Sequence, residues 1–136
     1  MNRLALAFGL ALLLVLSARW IGHAQQDDAR FTGRTDVLDA KDIGASRRRF
    51  APGARTAWHS HDKGQLLFFE QGRARVRRKD GPAKDFGAGE SDFTPAGVVH
   101  WHGAVPDQQL VQVAIGFGGD TRWLEKVTNA EYSGRR

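Results

Sequence analysis

The stretch TAWHSHDKGQLLFFEQG, from Thr56 to Gly72, decides the reading of this chain. Its first half sets His59 and His61 two residues apart, and in extended backbone residues i and i+2 project to one face, so both imidazoles aim the same way. Its second half, QLLFFE ahead of the turn signal Gln71-Gly72, has strand length and no helical period. The pattern recurs in VVHWHGA, from Val98 to Ala104, where His100 and His102 form a second pair. Neighbouring strands would bring the two pairs together. Imidazole, with an ordinary pKa of about 6.5, is largely neutral near pH 7 and has a lone pair to offer a metal. A lone histidine on a strand reads as an exposed residue; two such pairs read as a metal cage.

Working outward, TAWHSH, QLLFFE, RARVRR, SDFT, VVHWHGA and LVQVAIGF are each strand-length. The turn signals Pro52-Gly53, Gln71-Gly72, Lys79 to Pro82, Gly87 to Gly89, Pro95 to Gly97 and Val105 to Asp107 divide the chain at short, regular spacing. That rhythm, with sixteen glycines, predicts an all-β barrel or sandwich. Helix is confined to the end, where Thr128 and Glu131 resemble a capping box. Trp123, Leu124 and Val127 offer an apolar edge there, and WLEKV reads equally as strand or helix. No internal repeat is visible.

The 136-residue chain divides into residues 1–24, 25–45 and 46–136. The first reads as a signal peptide: Arg3 precedes an uncharged apolar run from Leu4 to Leu16, too short for a membrane span of roughly 20 residues. Gly22 and Ala24 set a cleavage point after Ala24; cleavage after Ala18 and retention as a short anchor are the alternatives. The expected destination is export, periplasmic or secreted, with no stable membrane span in the mature protein. Residues 25–45 are polar and aperiodic, an arm or loosely attached first strand, and 46–136 form the barrel. There is no cysteine, hence no disulfide, thiolate ligand or cysteine nucleophile. The net charge of +5 falls to +3 without Arg3 and Arg19. Basic residues concentrate at Arg47 to Arg49 and Arg73 to Lys79. In the second run arginines alternate with Ala74 and Val76, the period of a strand with a solvated face, and no stacking aromatics are interleaved, so no nucleic-acid partner is expected.

The segment from Gly53 to Gly72, with His59, His61 and Gln65 at their spacing, resembles the first cupin motif. GESDFTPAGVVHWHGA, with Gly89, Pro95, Gly97 and His100, is similar to the second; together they cover about a quarter of the chain. The resemblance implies a double-stranded β-helix or jelly-roll barrel and one divalent metal ion held by His59, His61, Gln65 and His100. It departs from the family pattern at Gln65, where glutamate is usual, and at Ala104, where asparagine often closes the second motif. Three neutral imidazoles and a neutral amide would leave the full 2+ charge on the ion, making it a stronger Lewis acid whose oxidised state is harder to reach. Manganese heads the candidates, with iron, zinc, nickel and cobalt behind.

TAWHSH, Gln65, HWHGA and the tail WLEKVTNAEY further resemble bacterial cupins of the manganese-dependent hydroxynitrile lyase group and cupins associated with carboxymuconolactone decarboxylases. In lyase-active members a further histidine follows the second motif; here Gln112 stands, and an amide takes no proton near neutral pH. His102 is then either the base or a pocket-wall residue. Ala57, Leu67 and Phe69, with Val98 and Ala114, are expected to wall an apolar pocket. Trp58 and Trp101, of opposite parity, are expected to pack outside the barrel or against a partner subunit. At least two of Phe68, Phe69 and Phe93 are expected in the core. The expected function is lyase-like or decarboxylase-like chemistry on a small oxygenated substrate, or non-catalytic binding of a metal and small ligand in the periplasm; a homodimer is expected from the resemblance.

Overall fold

Along QLLFFEQG the inward positions are Gln65, Leu67 and Phe69, while Phe68 between them faces out. That alternation is repeated around a barrel whose computed structural model describes Arg30, Thr32 and residues 35–134. The expected signal segment and its cleavage point lie outside the described residues. The chain separates into a unit ending at Leu38 and a unit of Asp39–Arg136; the second carries every described strand and the helix. In order these are β1 (Gly44–Phe50), β2 (His59–His61), β3 (Gln65–Gly72), β4 (Ala74–Arg78), β5 (Ala83–Phe86), β6 (Ser91–Thr94), β7 (His100–Ala104), β8 (Leu110–Gly116), β9 (Thr121–Trp123) and α1 (Asn129–Ser133).

Two antiparallel sheets result, one ordered β1-β8-β3-β6 and the other β5-β4-β7-β2-β9. Their inner faces enclose a core of Phe50, Leu67, Phe69, Ala74, Val76, Ala104 and Leu110. Each fully buried Leu or Phe side chain contributes roughly 1.5–3 kcal/mol. Gly103 lets the barrel close at one side: a Cβ there would sit 2.3 Å from the Ala54 carbonyl oxygen and 2.5 Å from Arg55 Cα, where Arg55 bridges to Gly103. Gly72, at φ +78°, similarly allows the Gln109 carbonyl to approach.

A second apolar cluster lies on the other face of β2 and β7, made of Trp58, Trp101, Val127 and Tyr132. The tryptophans do pack outside the barrel, but the chain's own tail covers them. Within WLEKV, Trp123 ends β9 and the next residues form no regular element, although Leu124 N–H donates to the Trp58 carbonyl and Trp58 N–H to that of Glu125. α1 starts at a complete Thr128/Glu131 capping box and ends at Gly134 in left-handed backbone. The Tyr132 hydroxyl donates to the Ala104 carbonyl at 2.6 Å, tying the tail to β7.

One expectation is corrected. Phe68 and Phe93 are 41% and 51% exposed, and only Phe69 of the three enters the core. Adjacent residues of a strand must face opposite ways, so the Phe68-Phe69 doublet splits, and Phe93 follows its partner Leu66 outward. Along β4, Ala74 and Val76 are buried while Arg75 pairs with Asp85 through two bonds of 2.7 and 2.9 Å. No helix among the described residues is long and apolar enough to cross a membrane.

Replacing Phe69 by Ala should cost about 3–5 kcal/mol of unfolding free energy, and Phe68→Ala less than about 1 kcal/mol. Urea denaturation of the two variants measures the difference; equal losses would contradict the face assignment.

Candidate metal centre

The three-residue strand β2 lies between β7 and β9, with His59 opposite His100 on one side and Trp123 on the other. His59 and His61 share the inward face with His100 and His102. Gln65 starts β3 in the opposite sheet and reaches across, its Oε1 3.1 Å from His100 Nε2. One ring nitrogen from each of His59, His61 and His100 lies within 4.8 Å of the others, a group that can hold a metal ion.

The backbone sets the tautomers. His59 Nδ1–H donates to the Ala57 carbonyl at 2.9 Å, and His100 Nδ1–H to that of Val98 at 3.1 Å. A carbonyl only accepts, so each Nδ1 carries the proton and each Nε2 presents a bare lone pair. His61 Nδ1 lies 3.0 Å from the Thr121 hydroxyl. Among the described residues His59 Nε2 and His61 Nε2 are buried without any hydrogen-bond partner, which ordinarily costs about 1–3 kcal/mol for each group. His100 Nε2 and Gln65 Oε1 face one another as two acceptors, an arrangement that repels unless something positive lies between them. Two donors at right angles on an ion with bond lengths of about 2.1 Å are about 3 Å apart. The residues therefore fit a divalent cation. Turning the Gln65 amide would satisfy His100 and still leave two lone pairs orphaned.

Burial depresses the pKa of all four imidazoles. For His100 it is pushed down to about 3, first by burial and then by the charge of His59. The cluster is therefore neutral near pH 7 and ready to donate lone pairs. His102 is buried as well, with Nδ1 3.0 Å from Gln112 Nε2. The amide N–H donates to the ring, engaging the lone pair His102 would need to accept a proton and leaving Gln112 Oε1 without a partner. The His102–Gln112 pair lies between the cradle and the apolar core, joining the two sheets.

A cavity of about 440 Å³ opens over the cradle, lined among others by His61, Gln65, Ser46, Ala114, Gly116 and Thr121. Ala114 lines it as expected, whereas Leu67 and Phe69 belong to the core beneath and Ala57 contributes its carbonyl. Val98 is a correction: its side chain lines a surface groove with Arg78 and Gly97. Val98 lies ahead of β7, at the end of the turn through Ala96 and Gly97, where its N–H donates back to the Pro95 carbonyl, so the alternation of the strand does not govern it. Two contacts were not anticipated from sequence: Thr121 on His61, and Trp123, whose ring lies 4.7 Å from that of His59 at 33° and is 61% exposed. Both depend on where β9 docks.

Comparison with known proteins gives a match of residues 46–116 to the cupin domain. The chain is 37% identical over 111 residues to an (R)-mandelonitrile lyase of Granulicella tundricola, covering 75% of this chain and 85% of the relative. Among solved structures it resembles a cupin-like protein of Thermotoga maritima at 38% identity and a TM-score of 0.67, over 68% of this chain and 72% of the other. Oxalate decarboxylase of Bacillus subtilis shares the fold at 24% identity and a TM-score of 0.53, over 62% of this chain and 24% of that protein.

Imidazoles with depressed folded pKa bind fewer protons than their unfolded counterparts below pH 6.5. Their stabilisation is thus complete above that pH and lost as pH falls toward the folded values. Metal-free protein should melt on the order of 10 °C lower at pH 5 than at pH 7.5, measured by calorimetry. An unchanged melting temperature would contradict neutral, buried imidazoles.

Proposed function

The chain belongs to the cupin family, and on that premise we propose that its barrel is a metal-dependent lyase acting on a small oxygenated substrate. The observation carrying this reading is the convergence of the His59, His61 and His100 lone pairs with Gln65 Oε1, two of the three imidazole nitrogens having no partner. These four residues would hold one divalent ion, manganese first among the candidates and iron, zinc, nickel or cobalt after it. When bound, the ion supplies Lewis acidity that four neutral donors leave undiminished.

The chain's own residues do the rest. Ala57 and Val98 hold two imidazoles in the tautomer that donates inward. Gln112 holds the His102 ring through Nδ1, which keeps the His102 proton on Nε2. Trp123 covers His59 from solvent. Lyase chemistry of the mandelonitrile-lyase or decarboxylase kind fits a site of this charge better than redox turnover, and the curated relative supports it. The engaged His102 lone pair favours a second reading, a non-catalytic barrel that binds a metal and a small ligand. The exposed Phe68 and Phe93 support a homodimer, and the N-terminal sequence supports export to the periplasm or beyond.

Elemental analysis of protein expressed in its own compartment should find about one equivalent of metal per chain, lost when His59 and His61 are both replaced by Ala. No metal even after reconstitution would refute the proposal. Incubation of the loaded protein with cyanohydrins, lactones and dicarboxylates then separates the readings: turnover abolished in the double variant supports the lyase, and no turnover at high protein concentration supports the binder.

A further inference from the structure

The arginine run at the start of the barrel has a use that metal binding leaves open. In β1, Arg47, Arg48 and Arg49 pair in register with Val113, Gln112 and Val111 of β8, and paired residues of an antiparallel ladder project to the same face. Gln112 points inward, to His102, so Arg48 starts from the inner side and its neighbours from the outer. The outer two are engaged: Arg47 with Glu70, and Arg49 with the Gln109 side-chain oxygen at 3.2 Å. Arg48 is exposed, and its side chain has no hydrogen bond, ion pair or ring contact among the described residues. The preceding inward position, about 7 Å along the strand, is Ser46, which lines the cavity over His61 and Gln65. Because β1 is the edge of its sheet, a ligand reaches this side without parting strands.

We propose that Arg48 binds a carboxylate at the mouth of the imidazole cradle, so that the ligands of this barrel are small organic acids; the proposal rests on reading the cradle as the working site. A guanidinium fork matches the two oxygens of a carboxylate. A phosphate, near two negative charges at neutral pH, would call for a second free cation, and Lys41, the cation lining the mouth, lies 3.2 Å from Asp39.

The test is calorimetric titration of the full mature protein, with the metal it carries, against malonate, malonamide and inorganic phosphate, for the wild type, Arg48→Gln and Arg48→Lys. Malonate should bind the wild type, lose about tenfold or more in Arg48→Gln and recover part of that in Arg48→Lys, with malonamide binding poorly throughout. Equal malonate affinity in the wild type and Arg48→Gln overturns the proposal, as does preference for phosphate over malonate. Metal content is measured on the same samples. Protein free of metal that still binds malonate through Arg48 upholds the carboxylate site while the metal-dependent reading fails; metal-loaded protein indifferent to Arg48 overturns the carboxylate site and leaves the metal-dependent reading standing.

Discussion

The antiparallel pairing of His59 with His100 is the constraint on which the site depends. It is the one residue pair in register between β2 and β7, and it brings together segments that are far apart in sequence. Once it forms, strand parity carries His61 and His102 to the same face without further specification. Gln65 then needs only to stand at the start of β3, across the barrel, for a fourth donor to complete the group. Four polar side chains converging in a barrel interior would be a liability without a partner for their lone pairs. The same convergence is what a cation requires.

A three-residue strand cannot hold that pairing unaided, and the tail supplies what it lacks. β9 flanks β2 on its free edge. Trp58 and Trp101, the residues next to the ligands, bury their rings beneath Val127 and Tyr132. Arg55 adds a clamp, its guanidinium donating to the Val127 carbonyl and the Asn129 side chain while lying 4.4 Å from the centre of the Tyr132 ring. From Trp58 through β2 and at the start of β7, inward donors thus alternate with outward residues, and the two tryptophans among these are gripped by the tail.

Much of this was legible in the sequence because it depends on period and spacing alone: the all-β rhythm, the two histidine pairs, the outward tryptophans and the capping box at Thr128. What escaped depends on where strands begin and dock. Placing two of Phe68, Phe69 and Phe93 in the core follows from hydrophobicity alone, whereas alternation allows only one of the two neighbours Phe68 and Phe69 inside. Val98 has the parity of His100 but lies before the strand, at the end of the turn that leads into it. The contacts of Thr121 and Trp123 with the histidines arise from the docking of β9, which no local pattern announces. The freedom of Arg48 is likewise invisible until the partners of Arg47 and Arg49 are known.

The strand order also bears on how the chain acquires its shape. β1, the first strand, pairs with β8, nearly the last, and the covering of the tryptophans waits for Tyr132, a few residues from the end. Such non-local pairings are slow to form, because loop closure must precede the contacts that reward it. Neither the sheet that holds β1 nor the cover over the tryptophans can form from neighbouring segments alone, so the closure of long loops, and not the making of local turns, governs how the barrel assembles.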